Sequence, residues 1–417
     1  MKRIYFDYAA STPVDSRVLR AMRPYFLREF GNPGSLHSFG QKAIAAVDAS
    51  RESLGKLIGA KHFREIIFTS GATEANNLAL QGAVEFYKAH HPAAADGNPA
   101  ARPRVIISSM EHESVMETAQ ALERDGVEVV KLPVNKEGTI DIVALKNALN
   151  ENTVIVSVMH VNNETGTVQP LREIKFMIDA FRKERAGGDS GAGMIAGRTT
   201  AYPLFHADAA QSFLYFYCDA ELLGVDMMTL SSHKMYGPKG AGALYVRRNE
   251  DAFTGGFPLS AQAFGGGQEF GLRSGTENVP GIVGFAKAAQ IAAAERGKTS
   301  ARVAGLRDDL WKRIKNIIPK AEINGPMGDA KAPHILNVYF SGHAAQDLLT
   351  RFDRAGLAAS SGSACRSRAV ESSYVIKALG YSKERAASSI RFSVGKKTTS
   401  REIAIASKII ERSIAAG

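Results

Sequence analysis

Residues 227–246 read Met227-Met228-Thr229-Leu230-Ser231-Ser232-His233-Lys234-Met235-Tyr236-Gly237-Pro238-Lys239-Gly240-Ala241-Gly242-Ala243-Leu244-Tyr245-Val246. Two short apolar runs, Met227–Leu230 and Gly242–Val246, bracket a lysine and a glycine-rich turn. Runs of four or five apolar residues bounded by turn signals read as buried strands. The same pattern recurs upstream at Ile66–Thr69, Val105–Ser108, Val127–Val130, Val154–Val158 and Leu204–Ala207. Helix-period segments separate several of these runs. One is Glu113–Arg124, with Val115, Ala119 and Leu122 on one face and Gly126 as a stop. Alternation of this kind predicts an α/β fold, a mainly parallel seven-stranded sheet covered on both faces. Ligands of such sheets gather at the carboxyl ends of the strands. Functional residues are therefore sought just after the apolar runs.

From about Ser300 the rhythm changes to a smaller α+β unit: helix Val303–Ile318, strand Ile335–Phe340, helix Ala344–Ala355, strand Ser389–Val394, then a last helix. Thr399 and Glu402 have capping-box spacing before that helix. The alanine-rich stretch Ile282–Glu295 predicts a long helix joining the two parts. His90–Arg104, Arg185–Pro203 and Phe253–Gly271 are rich in small residues and read as surface insertions.

A chain of 417 residues is long enough for a large core without staples. Its two cysteines, Cys218 and Cys365, exclude a disulfide framework and favour a reducing cytoplasm. No signal-peptide core and no run of about 18 apolar residues is found, so no membrane association is expected. The net charge is +10, but basic residues are scattered among acids, which argues against stable nucleic-acid binding. No metal is expected.

Lys234 alone would be a solvated surface charge. Asp208, however, follows the run Leu204–Ala207, placing an acid at a second strand end. That pair suits pyridoxal phosphate: a lysine to carry its aldehyde carbon and an acid to keep its pyridine nitrogen protonated. Gly71-Ala72-Thr73-Glu74, after Ile66–Thr69, opens a helix whose free N–H groups and Thr73 hydroxyl make an anion site. Glu111-His112-Glu113 follows another strand end, where an imidazole can stack on a flat ring or only cap a helix. Asn162-Asn163-Glu164-Thr165-Gly166 is explained equally by turn chemistry. Cys365 lies in Ser360-Ser361-Gly362-Ser363-Ala364-Cys365-Arg366-Ser367, a polar setting suited to a reactive thiol, whereas Cys218 sits among aromatic residues and reads as packing.

The ordered set of Gly71–Glu74, Glu111-His112, His160–Gly166, His206–Gln211, Ser231–Lys234, Arg273–Thr276 and Ser360–Cys365 resembles the cysteine desulfurases of the NifS/IscS type. These are class V aminotransferase-like enzymes with pyridoxal-phosphate fold type I. The resemblance runs from Tyr5 to about Ile410. It implies that Lys234 carries the cofactor, Asp208 partners the pyridine nitrogen, His112 stacks on the ring and acts catalytically by shuttling protons, and Gln211 meets the phenolic oxygen. Ala72, Thr73, Ser231 and His233 would bind the phosphate, and Thr276 would reach the phosphate of the neighbouring subunit of a homodimer. Asn163 and Arg391 would hold the carboxylate of L-cysteine. Lys234 would remove the α-proton, and the Cys365 thiolate would take the substrate sulfur, leaving alanine and a persulfide for an acceptor protein in iron–sulfur cluster assembly or tRNA thiolation. The implied division is a large domain, 15–296, and a small one of 1–14 with 297–417. After Cys365 the chain departs from the family pattern by adding Arg366 and Arg368. Selenocysteine cleavage, another class V activity and a non-catalytic partner platform are the alternatives; the platform is disfavoured by intact Lys234, Asp208, His112 and Cys365.

Overall fold

The computed structural model describes residues 3–95, 98–187, 202–248, 256–362 and 372–415. Its strands are β1 (Ile4–Tyr5), β2 (Ile66–Thr69), β3 (Arg104–Ser108), β4 (Glu128–Leu132), β5 (Thr153–Ser157) and β6 (Leu204–Asp208). They continue with β7 (Met227–Ser231), β8 (Gly242–Val246), β9 (Glu322–Ile323), β10 (Ile335–Tyr339), β11 (Leu357–Ala358) and β12 (Ser389–Ser393). Seven of them form one sheet in the order β2-β8-β7-β6-β5-β3-β4. All its neighbours are parallel except β8, which runs antiparallel to both β2 and β7. Six strands therefore point the same way, and their carboxyl ends share one edge.

Both faces of this sheet are buried. Ile67, Val105, Ile107, Ile155, Leu204 and Met227 face helices Ala72–His90 and Glu113–Arg124. Ile66, Phe68, Ile106, Val156, Phe205 and Met228 face the core shared with helices Ser38–Leu57 and Val279–Ile317. With no solvated face, the strands have no polar alternation, and the apolar runs mark them directly. The smaller elements form a sheet β12-β10-β9 and a parallel pair β1-β11. Thr399 and Glu402 make the expected reciprocal cap: Glu402 N–H donates to Thr399 Oγ1 at 3.2 Å, and Thr399 N–H to Glu402 Oε2 at 2.9 Å.

Two expectations change. The separate helices at Ile282–Glu295 and Val303–Ile318 are one 39-residue helix, Val279–Ile317, running unbroken through Gly297. A mid-helix glycine costs about 1 kcal/mol relative to alanine. Tertiary contacts offset it, since Thr299 and Val303 are buried and Ser300 Oγ donates to the Tyr215 carbonyl at 2.9 Å. The insertion at His90–Arg104 contains short helical turns, Pro92–Ala95 and Pro99–Ala101. Most of Arg185–Pro203 and the start of Phe253–Gly271 lie outside the described residues.

The described part of that third insertion is tied to the sheet by a buried ion pair. Arg51 donates to both oxygens of Glu269, at 2.6 and 2.8 Å, and Glu269 Oε2 also accepts from Phe68 N–H at 2.9 Å. Glu269 and Phe270 adopt positive φ (49° and 59°), a strain the pair holds in place. Arg51→Ala should lower stability by about 3–5 kcal/mol, because the carboxylate stays buried without its partner. A loss below about 1 kcal/mol in urea unfolding, the range of an exposed pair, would show that the loop is held otherwise.

Candidate active site

The carboxyl edge of the sheet collects the residues singled out in sequence. Lys234 ends a short turn, Ser232–Lys234, directly after β7. Its Nζ donates to the carbonyls of Ala9 and Ala10, at 2.6 and 3.0 Å. The turn is held from the same N-terminal segment: Thr12 Oγ1 donates to the His233 carbonyl at 2.8 Å and accepts from Tyr236 N–H at 2.7 Å. Gln211 Nε2 also donates to the Ala9 carbonyl, at 2.8 Å. The sequence assigns no role to either Ala9 or Thr12, which stand in the first stretch of the family resemblance.

Asp208 is the last residue of β6 and is buried. Its Oδ2 accepts from Asn76 Nδ2 at 2.8 Å, and its Oδ1 from Ala210 N–H at 2.9 Å. Asn76 also escaped the sequence reading. The available signal was an amide among Ala75, Leu78 and Ala79 on the buried face of helix Ala72–His90, one turn beyond Ala72. His112 caps helix Glu113–Arg124 through Nδ1, which accepts from Ser114 N–H at 3.1 Å. Loss of solvent holds its pKa below the usual value, with Lys234 and Arg391 adding to the shift and Asp208 opposing it. Adjacent Glu111 is fully buried; burial, with the Asp208 charge nearby, pushes its carboxyl well above the ordinary range.

A group of open hydrogen-bond donors lies at the β2 end of this edge. Gly242 on β8 sits between Thr69 of β2 and Ser231 of β7 in the register. A Cβ on Gly242 would stand 2.6 Å from Gly71 Cα, so only glycine lets the Gly71 turn lie on the sheet. Helix Ala72–His90 starts there with no side-chain cap, leaving its first N–H groups open. The Ser231 hydroxyl is buried without a partner among the described residues. A hydroxyl left in that state costs about 1–3 kcal/mol, and a phosphate would satisfy it. His233 is held near pKa 4, first by burial, then by Lys234 and Lys239, so it is neutral at pH 7. Its Nδ1 lies 3.4 Å from Ser11 Oγ. These residues fit pyridoxal phosphate. Thr73 and Thr276 are exposed, and Thr276 lines a cavity of about 230 Å³ with Ser70 and Gly240.

Arg391 lies in β12 and is 3% exposed. Its Nη2 donates to Asp7 Oδ1 at 2.7 Å and its Nη1 to the Asn163 carbonyl at 2.8 Å, while Nε has no partner among the described residues. Asn163 thus meets Arg391 through its main chain. Cys365 and the added Arg366 and Arg368 lie outside the described residues. On one side of that stretch, Ser360 exchanges main-chain hydrogen bonds with Arg391. On the other, Ser373 Oγ donates to Glu164 Oε2 at 2.6 Å. Cys218 is buried against Ser212, and burial pushes its thiol up to about 11.

Comparison with known proteins agrees with this arrangement. The chain matches the family model "Aminotransferase class-V" over residues 4–183 and 195–405. It is 44% identical over 401 residues to "Cysteine desulfurase IscS" of Anaeromyxobacter sp. (strain Fw109-5), covering 96% of this chain and 89% of that one. The mitosomal cysteine desulfurase of Trachipleistophora hominis is also 44% identical, with 96% and 83% covered. Among solved structures, a "NifS-like protein" superposes with a TM-score of 0.84 at 32% identity over all of both chains. "SspA in complex with cysteine" gives 0.75 at 33% identity over 95% of this chain and all of the other. The chain belongs to the aminotransferase class-V family, among its pyridoxal-phosphate-dependent cysteine desulfurases of the NifS/IscS type.

Proposed function

We propose that this enzyme converts L-cysteine to L-alanine and delivers the sulfur as a persulfide on Cys365 to an acceptor protein, in iron–sulfur cluster assembly or tRNA thiolation. The observation that carries it is the placing of Lys234, Asp208 and His112 along one sheet edge with a Ser231 hydroxyl unpartnered among the described residues, in a chain 44% identical to named cysteine desulfurases. Pyridoxal phosphate, when bound, supplies an electron sink for the substrate α-carbon. Lys234 would hold it and would take the substrate α-proton. Asp208 holds a proton at the pyridine nitrogen, and Gln211 meets the phenolic oxygen. Ala72, Thr73, Ser231 and His233 hold the phosphate. Arg391, with Asn163, receives the substrate carboxylate, trading part of its pairing with Asp7 for a second carboxylate. The Cys365 thiolate attacks the substrate sulfur; the S–S bond forms as the C–S bond breaks, and the carbon keeps the electron pair until it is protonated.

In this reading the chain comprises a cofactor unit, 15–296, and a smaller unit of 1–14 with 297–417, and works as a homodimer in a reducing cytoplasm. Exposed apolar residues support the dimer: Phe30 and Phe39, with ring centroids 5.6 Å apart, lie in one segment with exposed Phe26, Leu27 and Leu36, and Phe264 is exposed as well. Thr276, exposed on its own subunit, would complete the phosphate site of the neighbour.

With cysteine and a reductant, the enzyme should release sulfide and alanine in equal amounts. Cys365→Ala should lose that release and keep the yellow chromophore, whereas Lys234→Ala should lose the lysine-linked chromophore. Sulfide production that survives Cys365→Ala removes the nucleophile assignment. Sedimentation should give a dimer that Leu36→Glu or Phe264→Glu weakens by tenfold or more, about 1.4 kcal/mol; a wild-type monomer would overturn the dimer.

A further inference from the structure

We infer that Ser114 and Asn76 are positioning residues that fix the tautomer of His112, so that its imidazole carries its proton on Nε2. The catalytic meaning rests on the desulfurase reading; the tautomer itself does not.

Donor directions decide it. A backbone N–H only donates, and that of Ser114 lies 3.1 Å from His112 Nδ1. Nδ1 is therefore an acceptor. The Ser114 hydroxyl approaches the same nitrogen at 2.9 Å, and its direction is set from behind. Asn76 Nδ2 lies 2.8 Å from Asp208 Oδ2 and 2.8 Å from Ser114 Oγ. A carboxylate only accepts, so the amide must present its NH₂ end to both. The Ser114 oxygen thus receives a hydrogen from Asn76 and has its own to give to His112. Hydrogens run one way, from Asn76 to Ser114 to Nδ1, and the neutral ring is left with its proton on Nε2.

Protonating His112 would place a hydrogen on Nδ1 against two donors. Asp208, from the end of β6, favours the cation, while Lys234 and Arg391 oppose it along with burial. A neutral ring with Nε2–H donates a hydrogen bond and cannot accept a proton at that atom. Base chemistry at the α-carbon is then left to Lys234, and His112 contributes a donor. Asn76 joins this relay to Asp208, so one amide orients both the acid and, through Ser114, the imidazole.

The test is ¹⁵N NMR of histidine-labelled holoenzyme, with the His112 signals assigned from the spectrum of His112→Gln. Wild type should show Nε2–H with Nδ1 unprotonated at pH 7–8. Ser114→Ala removes one donor and cuts the link to Asn76. It should add an Nδ1–H population and raise the acid limb of the kcat/KM profile by about one pH unit, the scale of ordinary environmental shifts. Ser114→Thr, which keeps the hydroxyl, should restore both. An Nδ1–H tautomer in wild type overturns the assignment with no variant needed. So does a Ser114→Ala enzyme whose tautomer and pH profile match wild type. Because the tautomer is read spectroscopically, a wild type releasing no sulfide would count against the reaction and not against this role.

Discussion

The main chain of one residue joins the parts of this protein on which the site depends. The Ala9 carbonyl accepts from Lys234 and Gln211 of the large sheet's edge, while Ala9 N–H donates to Ser393 Oγ of β12 at 2.9 Å. On either side the N-terminal segment repeats the connection. Asp7 pairs with Arg391, Thr12 holds the His233–Tyr236 turn, and Asp15 joins Arg17 to Lys396. The Arg17 hydrogen bond, with Lys396 beside it, keeps the Asp15 carboxyl well below the ordinary carboxylate range. The lysine turn and the arginine strand are therefore placed relative to each other by residues 7–15. A chain lacking that segment would keep its large sheet and lose the geometry of its site.

Burial then limits which groups around the site can exchange protons near neutrality. His160, His206 and His233 are each held near pKa 4, and His334 near 3, chiefly by loss of solvent. Glu111 is pushed the opposite way, for the same reason in an acid. Histidines displaced this far stay neutral through ordinary pH changes and serve as fixed donors and acceptors. Proton transfer is left to the groups facing substrate, which is the division of labour a lysine-centred reaction needs.

The sequence made the large sheet legible because both faces are buried. Ile66–Thr69 and Gly242–Val246 have the bounds expected from their apolar runs, and the helix Glu113–Arg124 ends where Gly126 stops it. The two-residue strands β1, β9 and β11 were invisible, since a pair of residues carries no period and its pairing is set from elsewhere. Asp208, Lys234 and His112 stood out because each follows an apolar run. Asp7 and Asn76 did not: Asp7 meets Arg391 across 384 positions, and Asn76 meets Asp208 across 132. A partner that distant leaves no local trace, and an amide in a helix reads as a solvated side chain until burial is known.

Glu164, which reads in sequence only as part of a turn motif, meets the described residues on both sides of the cysteine stretch. It is 2% exposed, and burial pushes its carboxyl to about 7 against the pull of Ser373 and Arg391. Its pKa in the fold thus exceeds that of the unfolded chain, so the stability it contributes is full below about pH 4.5 and falls as pH rises through 7. Ser373, which donates to it, also caps helix Tyr374–Ala378, so the carboxyl fixes where that helix begins. Gly362 approaches the same oxygen so closely that a Cβ would stand 2.4 Å away, and its φ of +90° independently favours glycine. Residue 373 is thereby bonded to, and residue 362 packed against, a single side chain, one position along from Asn163, whose main-chain carbonyl Arg391 holds. The stretch carrying Cys365 must begin and end at points set by the strand that presents Arg391 and by the turn after β5.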